Sequence, residues 1–172
     1  MIIEGKVHVF GDSVDTDGMV AGRYLPLSDP KEIAKHIFED VDPGFRTRVK
    51  PGDVLVAGKN FGSGSGREHA PLGLIGLGVG CIVAESFSRT FFRMAVDLGL
   101  QTVTCPEAAA AAKDGDVAYV DTTTGDVRIG SRLFKSEPLP AFIREIVDQG
   151  GMAPYVKAKL QRSKGTGASS AG

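Results

Sequence analysis

The sequence predicts an α/β fold, a single domain with a mixed sheet and helices on its faces. Three observations carry the expectation. Residues 54–57 (Val-Leu-Val-Ala) and 82–84 (Ile-Val-Ala) are short, uninterrupted apolar runs of the kind formed by strands buried on both faces. Each is followed by a loop and then by a helical pattern, over 67–77 and 88–98, which gives β-α-β-α order. Residues 117–120 and 127–129 read as an antiparallel hairpin turning through Thr124-Gly125.

The elements follow in order. Residues 6–10 alternate as a half-buried strand, and a polar, glycine-bearing loop occupies 11–27. Pro30 opens an amphipathic helix through Phe38, capped by Ser28 or Asp29. Residues 101–104 read as a further strand, 107–112 as an Ala-rich helix, and 140–147 as an amphipathic helix closed by Gly150-Gly151. A short helix over 154–160 follows. The domain is expected to span 1–162, with 163–172 a small, polar, disordered tail.

The bulk properties exclude several classes. The chain has 172 residues, of which 42% are hydrophobic, enough for one domain with a sizeable core. A formal net charge of −1 offers no electrostatic footprint for nucleic acid. No apolar run reaches membrane-spanning length and the N-terminus lacks a signal-peptide shape, so a cytoplasmic protein is expected. Cys81 and Cys105 are its two cysteines, and both read as structural thiols. They are too few for an iron–sulfur cluster, which takes three or four thiolates. His8, His36 and His69 do not stand at metal-site spacing.

The chemistry concentrates in residues 58–70, Gly-Lys-Asn-Phe-Gly-Ser-Gly-Ser-Gly-Arg-Glu-His-Ala, between a strand and a helix. Four glycines from Gly58 to Gly66 allow a sharp turn and close approach to a ligand. A helix opening near Gly66-Arg67-Glu68 would present free amide donors to an anion. Ser65 adds a hydroxyl and Arg67 a bidentate clamp for a carboxylate. Work on a small carboxylic acid is the chemistry suggested. Ser65 acting only as a helix cap is the plainer alternative.

The same stretch resembles the Gly-Ser-Ser-Arg-Glu-His motif of the aconitase superfamily's swivelling domain. Gly11-Asp12-Ser13-Val14-Asp15-Thr16-Asp17, with Gly22-Arg23-Tyr24-Leu25 after it, resembles that domain's Asp-Thr-Asp segment. Ala84-Glu85-Ser86-Phe87-Ser88-Arg89 resembles its Ser-Phe-Ala-Arg segment. The three motifs stand in the family's order over roughly residues 1–150, nearest to the small subunits of two-chain dehydratases of isopropylmalate and homoaconitate type. The resemblance implies the swivelling β/β/α fold and a hydro-lyase of leucine biosynthesis that moves a hydroxyl between adjacent carbons. It implies that Ser65 is the base beside a carboxylate, that Asp17 organises the acid–base groups with Thr16 in support, and that Arg67, with Gly66, binds substrate carboxylate. Asn60, Glu68 and His69 would brace the loop. No metal or cofactor is expected on this chain; a [4Fe-4S] cluster acting as Lewis acid would sit on a large partner subunit. Leu25, Pro26 and Leu27 fall in the family's specificity segment, where homoaconitate-type enzymes tend to carry arginine at the position of Pro26. The apolar residues here favour an alkyl-bearing malate, with dimethylmalate and citraconate-type acids also open.

The pattern is broken at four places. Gly66 stands where the family has a second serine, Ser63 where small subunits usually have cysteine, Met94 where asparagine is frequent, and Gly18-Met19-Val20 where Ala-Ile-Ile is usual. Losing a serine hydrogen bond at 66 would cost roughly 1–3 kcal/mol of substrate contact. Two other readings stay open on the residues alone. One is a non-catalytic carboxylate-binding module that uses Arg67 but not Ser65. The other is a phosphate-binding loop, though the Gly-Lys-Ser/Thr ending is missing.

Overall fold

The computed structural model describes residues 1–166; the remainder of the expected tail, 167–172, lies outside the described residues. Seven strands form one sheet: β1 (Ile2–Val9), β2 (Val54–Ala57), β3 (Cys81–Ala84), β4 (Thr102–Thr104), β5 (Val117–Asp121), β6 (Asp126–Ile129) and β7 (Arg132–Lys135). Their order is β4-β3-β2-β1-β5-β6-β7. The β4-β3-β2-β1 half is parallel and the β1-β5-β6-β7 half antiparallel, so the sheet is mixed, as expected.

β2 and β3 are buried along their whole length, which is why they read as unbroken apolar runs. Their alternate residues feed two cores. Leu55, Ala57, Ile82 and Ala84 pack with Ile33, Ile37, Phe38, Phe45, Leu74 and Phe91 from the helical layer. Val54, Val56, Cys81 and Val83 pack with Val7, Val103, Ala118, Val120, Val127 and Ile129, where the antiparallel half curls across the second face. α6 (Pro106–Ala111) adds Ala108 to that second core.

The helical layer departs from expectation in its boundaries. α2 is Pro30–Ala34, capped by Asp29, whose carboxylate accepts from the amides of Lys31 and Glu32. It stops short of Phe38, which takes a φ of +54° that no helix continues. α4 is His69–Gly76, so the helix expected from 67 opens two residues later. Gly76 lets it press on α2, since a Cβ there would stand 2.0 Å from the Pro30 carbonyl oxygen. α5 (Arg89–Leu98) is capped by the Ser88 hydroxyl, which accepts from the Phe91 amide. α7 (Ala141–Asp148) and α8 (Met152–Thr166) bury Ile146, Val147 and Tyr155 against Val96 of α5. α8 extends beyond 154–160 in both directions; Gln161 and Arg162, just past the expected end, are good helix formers. Two one-turn helices, α1 (Thr16–Met19) and α3 (Phe45–Arg48), and the edge strand β7 were not expected.

β1 and β2 are tied by one buried carboxylate. Asp53 accepts from the Lys6 amide at 3.0 Å, the Lys50 amide at 2.9 Å and His8 Nε2 at 2.8 Å. Burial alone would raise its pKa, but those three hydrogen bonds outweigh it and hold the carboxyl below its ordinary value.

Candidate active site

The parallel strands β1, β2 and β3 end side by side, and the loop after each turns into one cluster, the place where open α/β sheets bind ligands. Backbone bonds lace the loops together. The Ser13 amide donates to the Lys59 carbonyl at 2.7 Å, Gly62 to Val14 at 2.8 Å, and Thr16 to Ser63 at 2.8 Å. Phe61 donates to Ser86 at 3.0 Å, and Ser88 to Phe61 at 2.9 Å. Side chains add to this: Asp12 Oδ1 accepts from the Lys59 amide at 2.7 Å, and Ser88 Oγ donates to the Gly62 carbonyl at 2.6 Å.

On this platform Ser65 and Asp17, 48 residues apart in sequence, meet. Ser65 Oγ donates to Asp17 Oδ1 at 2.6 Å. Arg67 Nη1 lies 3.8 Å from the same oxygen, and the side chains of Arg67 and Asp17 are 44% and 48% exposed, open to a ligand from outside. Asp15 orients the group, its Oδ1 accepting from the Asp17 amide at 2.5 Å. A hydroxyl, a carboxylate and a guanidinium thus converge at an exposed rim.

The other expected residues divide. His69 Nε2 lies 3.1 Å from the Leu25 carbonyl and 3.0 Å from the Leu27 carbonyl, so as a donor it ties α4 to the segment carrying Leu25, Pro26 and Leu27. That segment is further held by Arg23, bidentate to Asp40 at 2.7 and 2.9 Å, and by the Tyr24 hydroxyl, which donates to Glu39 at 2.5 Å. The Tyr24 and His36 hydrogen bonds keep the Glu39 carboxyl below its ordinary range. Asn60 takes a φ of +56°, tolerable for asparagine, and its amide donates to Ser86 Oγ at 2.8 Å. Glu68 is exposed at the N-cap position of α4 and makes no capping bond.

One expectation is corrected here, and two residues take on a more definite part. Because α4 begins at His69, no row of free helix amides stands at Gly66-Arg67-Glu68, and Ser65 does not cap the helix. Thr16 is 3% exposed, and its Oγ1 is buried without a partner, so it links loops through its amide rather than facing the rim. Gly66 takes a φ of +66°, and a Cβ there would stand 2.5 Å from Thr90 Cγ2. Glycine is therefore dictated by the backbone at 66, and a serine would not fit this loop unchanged. Asp40, which orients Arg23, was missed; the two stand 17 residues apart and nothing in the residue spacing signals the pair. Asp15 acts locally, as the side-chain cap of α1 two residues before Asp17.

Residues 9–108 match the sequence model of the family described as the aconitase C-terminal domain. The chain belongs to that family. Among its relatives, the 3-isopropylmalate dehydratase small subunit of Moorella thermoacetica is 46% identical, over 95% of this chain and 99% of that protein. The isopropylmalate/citramalate isomerase small subunit of Methanocaldococcus jannaschii is 44% identical, over 95% and 98%. A crystal structure of 3-isopropylmalate dehydratase from Methanocaldococcus jannaschii superposes with a TM-score of 0.88 at 40% identity, covering 95% of this chain and 99% of that one. In this aconitase-family domain the three segments that carry the sequence resemblance are the three laced loops.

The residues present bear on whether this chain could hold the iron–sulfur cluster that the resemblance implies. Cys81 and Cys105 are buried in the second core, and burial pushes the Cys81 thiol up to about 12. Among the described residues no group of three or more His, Cys, Asp or Glu is placed to hold a metal ion. The described side chains do not fit an iron–sulfur cluster. No helix among the described residues is long and apolar enough to cross a membrane.

Proposed function

We propose that this chain is the small subunit of a two-subunit 3-isopropylmalate dehydratase, contributing the proton-transfer and carboxylate-binding half of the active site. The observation that carries the reading is the Ser65–Asp17 hydrogen bond of 2.6 Å with the Arg67 guanidinium beside it. Full-length similarity to small subunits with that name supports it.

In this reading Ser65 Oγ takes the proton from the carbon next to a substrate carboxylate. A serine hydroxyl is a weak base, so its own proton must have somewhere to go, and the Asp17 carboxylate already accepts it. Arg67 holds the carboxylate on which negative charge grows as the C–H bond breaks. The hydroxyl leaves the neighbouring carbon as water, its proton supplied by an acid on the large subunit, and an alkene diacid remains. Water then returns with the hydroxyl and proton exchanged between the two carbons. In this reading the [4Fe-4S] cluster sits on the large subunit, and the enzyme works in the cytoplasm.

Leu25 and Pro26 are exposed and Leu27 is half-buried, an apolar stretch without a cation for a third carboxylate. That favours an alkyl-bearing malate. The test is turnover of 2-isopropylmalate by this chain plus its large subunit under anaerobic conditions, followed by alkene absorbance. Citramalate is run in parallel because one relative is named for both substrates. Turnover that requires both chains supports the reading; an intact complex inert on both acids refutes it.

A further inference from the structure

Arg89 and Arg93 lie one turn apart on α5, both exposed, and line an open groove of about 240 Å³ with Thr90, Met94 and Asp97. Among the described residues the other exposed guanidiniums are engaged: Arg23, Arg48 and Arg67 face carboxylates, Arg128 and Arg132 lie over rings, and Arg162 also has a partner. Arg89 and Arg93 have no hydrogen bond, ion pair or ring contact among the described residues. Arg89 moreover occupies the first position of α5, where a cation opposes the helix dipole. Arg89 is therefore not placed to stabilise the helix.

Their place in the fold connects them to the site. Thr90, between them, is the residue against which Gly66 packs, so the groove begins where the Ser65–Arg67 loop ends. It runs on to Asp97, eight residues along the helix, a footprint of about 12 Å. A malate-sized acid is too short to span it. A chain that closes over Ser65 and Arg67 would be carried onto this face.

We infer that the Arg89–Arg93 face of α5 is a docking surface for the large subunit, and that it receives an acidic patch of that subunit. This rests on the two-subunit reading above. Two unpaired cations beside the positive end of a helix attract carboxylates, and their exposure makes the contact a steering one, sensitive to salt. Asp97 at the far end would repel a uniformly acidic partner, which confines the acidic patch to the end nearest the active-site loop.

The test is the affinity of this chain for its large subunit, measured by sedimentation velocity at low and high salt, for wild type, Arg89→Glu/Arg93→Glu and the milder Arg89→Gln/Arg93→Gln. Circular dichroism of each isolated chain checks folding, and the Gln pair serves if the Glu pair misfolds. The expected result is a wild-type affinity that falls with salt, at least tenfold weaker binding in the Glu pair, and a smaller salt dependence in the Gln pair. Binding unchanged in both variants overturns the inference. So does an intact complex with a raised KM, which would make the pair a substrate contact, or loss of self-association in place of loss of complex. Wild-type chains that never associate refute the two-subunit reading itself, a distinguishable failure.

Discussion

Asp17 serves two neighbours through one oxygen, accepting the Ser65 hydroxyl at 2.6 Å while Arg67 stands 3.8 Å away. Asp17→Asn keeps an acceptor of the same shape but removes the charge that would take the serine proton. We expect kcat of the reconstituted enzyme to fall by roughly 10²–10⁴-fold. The melting temperature of the isolated chain should hardly move, because the side chain is half exposed. A matching loss of stability would make Asp17 a structural residue instead. Gly66 has the opposite profile. Placing the family's serine there forces a side chain onto a φ of +66° and against Thr90 Cγ2. Gly66→Ser should destabilise the chain by about 1–3 kcal/mol, read by chemical denaturation. An unchanged midpoint would mean that the loop relaxes freely.

Among the elements, α4 and the 22–27 segment are coupled by one imidazole. His69 Nε2 reaches two carbonyls, those of Leu25 and Leu27, so His69→Ala leaves both without that donor and frees the segment beside Arg67. Substrate KM should rise severalfold with kcat changed less, and His69→Gln, which retains a donor, should recover part of the loss. Equal losses in kcat and KM from both variants would count against a positioning role. Asp53 is the corresponding tie between β1 and β2. Its pKa is lowered in the fold, so the stability it contributes is complete above its ordinary value of 3.8 and is lost as pH falls through the folded value. Asp53→Ala should cost about 2–4 kcal/mol at neutral pH. The gap between wild type and variant should close in acid; a gap constant down to acid pH would contradict the assignment. The elements also show what a sequence conceals. β2 and β3 were legible because burial on both faces leaves an unbroken apolar run. α1 and α3 are single turns, too short for a period to register, and β7 is a four-residue edge strand whose Leu133 faces solvent. The start of α4 was misjudged by two residues because the positive φ of Gly66 prolongs the loop.

At the scale of the whole molecule, the curled sheet brings three loop ends together, and chain distance ceases to matter. Ser65, Asp17 and Arg67 were nameable from their motifs, but their meeting depends on the parallel register of β1 against β2. Thr16 shows the limit: the motif marks it, while the lacing of loops turns it inward. In the proposed enzyme this chain supplies the proton-transferring groups of a two-chain hydro-lyase. The most direct measurement is kcat for 2-isopropylmalate in the reconstituted complex, with wild type beside Ser65→Ala, and with complex formation checked for each. A Ser65→Ala complex should assemble normally and turn over at least about a hundredfold more slowly. Wild-type turnover by an assembled Ser65→Ala complex would contradict it.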